Sequence, residues 1–118
     1  MQKYRIYVAG PLTNPSVFGE FQNVKRASEV GVALMGKGHD VFVPHAATWP
    51  LELLGAHHPH ERWLDMDFGI MKAWATALYL IGSSPGADAE LELAESLGLP
   101  VFHSLDEVPD ARVPHPVG

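Results

Sequence analysis

The chain has 118 residues, 47% of them apolar and 19% charged, with a net charge of −6. That size holds one sheet and its covering helices, and eight Lys and Arg with no basic run argue against a nucleic-acid backbone as the main partner. Cysteine is absent, which removes disulfides, thiolate nucleophiles and Cys-based zinc sites. The longest apolar stretches fall far short of a membrane span, so no membrane partner is expected. The opening MQKYRIYVAG leads directly into a strand and does not read as a cleavable signal, so a soluble, cytoplasmic protein is expected.

Tyr4 to Ala9 is a β-rich run that stops at Gly10-Pro11, a strand followed by a sharp turn. Leu12 to Gly19 reads as a loop. From Glu20 to Lys37 the residues Phe21, Val24, Ala27, Gly31, Leu34 and Met35 fall on one helical face, and Gly36 and Gly38 end that helix. Val41 to Val43 is a second short strand closed by Pro44-His45. Ala46 to Pro59 reads as irregular, with one helical turn near Leu51. His60 to Trp74 has helical periodicity, Thr76 to Ile81 is a buried strand, and Gly82 to Gly86 is a tight loop. Ala87 to Leu97 is a helix, Val101-Phe102 a last strand, and 106–118 a Pro-rich tail. Strands alternating with helices predict one domain over 1–118 with a parallel sheet covered on both faces. Ligands of such sheets sit beyond the carboxyl ends of the strands, which points to the loops Gly10 to Phe18 and Gly82 to Gly86.

Two carboxylates stand where a helix should be apolar. Advancing about 100° per residue from Gly86 to Leu97 puts Asp88, Glu92 and Glu95 on a solvated face. Glu90 lands amid Ala87, Leu91, Leu93, Ala94 and Leu97. Likewise Asp67 sits at the centre of the stripe Trp63, Leu64, Ile70, Met71 and Trp74, whereas Asp65 lies nearly opposite, beside Arg62 and Lys72. A buried carboxylate is costly without partners, so each is either a capped or salt-bridged structural acid or part of a site. Paired acids suit glycosidic-bond cleavage, one acting at the anomeric carbon and the other on a proton or the leaving group. Phosphoryl transfer fits poorly, because no GxxxxGK[ST] pattern occurs.

The string IYVAGP (Ile6 to Pro11), Asp67 before a strand ending LYLIG, and SxGAxxE (Ser84, Gly86, Ala87, Glu90) with Ala94 and GLPVF resemble the nucleoside 2-deoxyribosyltransferase superfamily, over roughly Ile6 to Phe102. The resemblance implies a Rossmann-like or flavodoxin-like α/β domain with a four- to five-stranded parallel sheet. It implies cleavage of an N-glycosidic bond, with Glu90 attacking the anomeric carbon, Tyr7 orienting Glu90, and Asp67 contacting the base and sugar. Base-exchanging members carry an aspartate six residues before the glutamate. Members that hydrolyse nucleoside 5′-monophosphates carry serine there, as this chain does at Ser84, and a serine donates to a phosphate that an aspartate would repel. Ser84, the amides of Gly86 and Ala87, and the loop Gly10, Pro11, Leu12 to Ser16 are then a phosphate cradle, with Asn23 and Arg26 as further candidate contacts. The chain departs from the family at Ala75, where an acid is common. Members are usually oligomers, so a homodimer or higher homo-oligomer built through the helices is expected.

His57, His58 and His60 lie close to Asp65 in sequence, but without HExxH or a firm i,i+4 register no metal is expected, and no cofactor. His45, at the end of the second strand, is placed to stack on or hydrogen-bond the base, and Trp49 and Trp63 are candidate walls of a base pocket. Core packing is the competing role for Trp63; Trp74 and Phe21 are assigned to the core. The function expected is an N-glycosidase acting on a (deoxy)nucleoside 5′-monophosphate. The alternatives are a deoxyribosyltransferase that exchanges bases, and a non-catalytic module that senses a nucleotide.

Overall fold

A computed structural model describes residues 2–112. The strands β1 (Arg5–Ala9), β2 (Asp40–Phe42), β3 (Ala77–Leu80) and β4 (Val101–Phe102) form one parallel sheet in the order β2-β1-β3-β4. Tyr7 is in register with Phe42 on one side and Leu78 on the other. The helices are α1 (Val17–Gly36), α2 (Pro44–Leu53), α3 (His60–Trp74) and α4 (Pro85–Ser96). This is the flavodoxin-like arrangement, with four strands. Among the described residues no helix is long and apolar enough to cross a membrane.

The pleat of β1 divides the core. Ile6 and Val8 point to one face, where Ala27 and Leu34 of α1 pack with Ala77, Tyr79 and Val108. Tyr7 and Ala9 point to the other, against Met71 of α3, Leu78, and Ala94 of α4. Helix α1 approaches its face closely because Gly31 has no side chain: a Cβ there would stand 2.9 Å from Val43 Cγ2.

Three expectations are corrected. Helix α1 begins at Val17, not Glu20, because the Ser16 hydroxyl accepts the Gly19 N–H at 2.9 Å and caps it. Pro44 does not end a strand but occupies the first turn of α2, where its missing N–H costs nothing, so much of the segment from Ala46 is helical despite Pro50. The tail does not begin at Asp106: a 3₁₀ turn (Leu105–Glu107) leads to a segment strapped across the α1–β2 turn. Lys37 Nζ donates to the carbonyls of Leu105 (2.7 Å) and Val108 (3.0 Å), and His39, buried, bridges the Tyr4 N–H (3.0 Å) and the Pro109 carbonyl (2.6 Å). Gly38 has φ +95°, and a Cβ there would meet the Ala111 backbone at 2.7 Å. The remainder of the expected tail, 113–118, lies outside the described residues. Among the residues assigned to the core, Phe21 is exposed on α1 against Trp49, and Trp74 is half-buried edge-on to Phe42.

Candidate active site

Tyr7, Glu90 and Asp67 converge from three elements. Tyr7 sits in the middle of a central strand and is fully buried. Its ring projects toward the face covered by α3 and α4, and its hydroxyl donates to Glu90 Oε2. Glu90 is 6% exposed, on the inward side of α4 with Ala87 and Ala94. Neither Glu90 nor Asp67 forms an ion pair among the described residues, whose salt bridges are Lys3–Asp40 and Arg112–Asp110. The salt-bridged structural acid is therefore not what these two carboxylates are.

Burial pushes the Glu90 carboxyl up to about 7, with the Tyr7 hydrogen bond pulling it down and the Asp67 charge adding to the rise. Burial likewise raises Asp67 to about 6, opposed by the Tyr7 hydroxyl and the charge of His60. The Tyr7 phenol is driven upward by its own burial and by both carboxylates, so it stays protonated and acts as a donor. Two carboxyls that exchange protons near neutrality, beside a fixed donor, can supply a nucleophile and a proton at once.

Above this trio opens a cleft of about 570 Å³ at the carboxyl ends of β1 and β3, where the chain order reverses. Gly10, Pro11 and Leu12 form one wall, Ser84, Gly86 and Ala87 another, and Asp67, Glu90 and His45 line it between them. His45 is 5% exposed, and its Nε2–H donates to the carbonyls of Gly10 (2.9 Å) and Pro11 (3.2 Å). That geometry makes it the clamp of the Gly10–Pro11 loop, and burial lowers its pKa, keeping the ring neutral. Ser84 caps α4, its hydroxyl oxygen accepting the Ala87 N–H at 3.1 Å. The Ala87 amide expected in a phosphate cradle is thus already engaged, while the Ser84 proton remains available to donate. Asn23 holds the loop, donating to the Leu12 carbonyl at 3.0 Å.

Trp49 is a correction: it lies outside the cleft. Thr48 and Glu52 of α2 line the cleft, and Trp49, a turn of about 100° from Thr48, faces α1 instead, its ring centroid 6.1 Å from that of Phe21. Trp63 does line the cleft. His58 and His60 also line it, although the sequence pointed to no role for them beyond excluding a metal. A signal was available, since His60, Trp63, Leu64 and Asp67 follow the 0, 3, 4, 7 spacing of one helical face and all line the cleft. Among the described residues, three buried side-chain polar atoms lack a protein partner: His45 Nδ1, Trp63 Nε1 and Asp67 Oδ1. All three belong to residues of this cleft. Buried polar groups are nearly always paired, so the clustering marks a surface shaped for a polar ligand.

Neither family models nor curated proteins match the chain. Among solved structures, a 2-deoxyribosyltransferase from the psychrotolerant bacterium Bacillus psychrosaccharolyticus is similar, with a TM-score of 0.54 and 26% identity over 82% of this chain and 69% of that one. The chain therefore resembles the nucleoside 2-deoxyribosyltransferase superfamily in fold as well as in the motifs that run from Ile6 to Phe102.

Proposed function

We propose that this nucleoside 2-deoxyribosyltransferase-like chain is an enzyme that hydrolyses the base–sugar bond of a (deoxy)nucleoside 5′-monophosphate. The observation that carries the reading is the buried Tyr7–Glu90 hydrogen bond beside Asp67 at the floor of the cleft. In this mechanism the Glu90 carboxylate, aimed by Tyr7, attacks the anomeric carbon. The C–N bond breaks with its electron pair passing to the base, and the Asp67 carboxyl gives the departing nitrogen its proton. Water then attacks the glycosyl ester, Asp67 takes back a proton, and Glu90 is released as a carboxylate. The products are a free base and a sugar 5-phosphate. Ser84 and the first turn of α4 hold the phosphate, a placement supported by the serine hydroxyl at the cap and by the helix N-terminus behind it.

The second reading, base exchange onto another nucleobase, is favoured by the named activity of the structural neighbour. Both readings use the same Glu90 ester and differ in what resolves it. Incubation with ribo- and deoxyribonucleoside 5′-monophosphates and with the matching nucleosides, followed by chromatography, tests the assignment. Wild type should release free base from a monophosphate, and Glu90→Ala should lose at least a thousandfold of that rate while remaining folded. Full activity in Glu90→Ala would overturn the nucleophile. A new nucleoside formed when a second base is present, in place of free sugar phosphate, would establish the transferase.

A further inference from the structure

Three carboxylates, Glu52, Asp67 and Glu90, line the cleft, and its lining residues include no lysine or arginine. The side chains of its lining that can carry positive charge are histidines, beside the N-terminus of α4. Three are present, and two are already committed. His45 holds the Gly10 and Pro11 carbonyls through Nε2, and its burial keeps it neutral. His58 accepts from the Arg62 guanidinium at 2.9 Å, a contact that requires an unprotonated ring nitrogen. Among the described residues the ring of His60, alone of the three, makes no hydrogen bond.

The position of His60 is specific. It opens α3 and leans on the first turn of α4: a methyl group placed on Gly86 would stand 3.4 Å from its Cε1 and 3.8 Å from its Nε2. The imidazole therefore lies against Gly86, in the first turn of α4 that Ser84 caps. Within the same cleft His45, nearly fully buried, also leaves its Nδ1 unpartnered.

We propose that His60 is a specificity-determining residue, supplying the cation by which the cleft takes a nucleoside 5′-monophosphate in preference to the nucleoside. The proposal rests on the nucleotide reading given above and adds a residue to it. The charged or titratable groups facing His60 are Asp67 on its own helix, Glu90 on α4, Glu52 across the cleft on α2, and His58 in the preceding segment.

The test is the ratio of kcat/KM for the monophosphate to kcat/KM for the nucleoside with the same base, measured on the full chain at one fixed pH. His60→Gln should lower it about tenfold, and His60→Lys, which keeps a positive charge, should hold it near the wild-type value. A ratio that His60→Gln leaves unchanged overturns the proposal. Thermal shifts with ribose 5-phosphate and 2-deoxyribose 5-phosphate separate this from the enzymatic reading. If no substrate releases base, the glycosidase reading fails, yet a stabilisation by sugar phosphate that His60→Gln abolishes sustains the role of His60. No stabilisation of wild type, or one retained in His60→Gln, overturns it.

Discussion

Burial sets the ionisation of Glu90 and the Tyr7 hydroxyl opposes it, so removing that hydroxyl has a signed consequence. Tyr7→Phe deletes the bond that pulls the Glu90 pKa down from its desolvated value. In the proposed mechanism the rising limb of the kcat–pH profile reports Glu90 ionisation and should therefore move to higher pH, with kcat at pH 7 reduced about ten- to a hundredfold. A profile unchanged in position would separate Tyr7 from the nucleophile. Stability carries the same signature. Glu90 is raised from 4.5 in the unfolded chain to about 7 in the fold, so the native state binds more protons than the unfolded state between those values. Stability is then fully present below pH 4.5 and is lost as pH rises toward 7. Glu90→Gln removes the ionisation, and urea melts at pH 8 should show it more stable than wild type by about 2–3 kcal/mol. At pH 4.5 the two should nearly coincide.

The elements show which signals a sequence carries. Helix α3 was readable to the residue because fifteen positions repeat one apolar stripe, and the same periodicity exposed Asp67 and Glu90 as misplaced acids. Helix α2 was hidden by its prolines. Pro44 has the same appearance whether it closes a strand or opens a helix, and Pro50 removes a helical N–H donor, so local preference argues against a helix that packing on α1 and β1 maintains. With α2 unread, Thr48 and Glu52 could not be placed in the cleft, and Trp49 was a candidate wall only because its indole suits stacking on a base. The strap over 105–111 was equally illegible, since its anchors, Lys37 and His39, lie some 70 residues away. At the α1–β2 contact, Gly31→Val should cost about 1–3 kcal/mol in a denaturant melt, because the added branches would enter the space of Val43 and Val41. Glycine at position 69, with no atom near its missing Cβ, offers the control: Gly69→Ala should stabilise α3 by up to about 1 kcal/mol.

At the scale of the molecule, the floor and the walls of the cleft are built from different material. Tyr7 hangs from the central strand between two hydrogen-bonded neighbours, and Glu90 and Asp67 project from the helices that cover it. The outer wall is α2, which buries only Pro44 and His45 and leaves Leu51, Leu53 and Leu54 exposed. Segments with so little buried apolar surface open at a lower free energy than the whole domain. Native-state amide exchange should accordingly protect β1 to the global limit and α2 far less.

That unequal construction sets the order in which heat dismantles the protein. Warming toward the melting point should loosen the α2 wall of the cleft before it disturbs Tyr7, Glu90 and Asp67. KM should climb over a range of temperature in which kcat still rises, and the two should fail together only when the sheet itself comes apart.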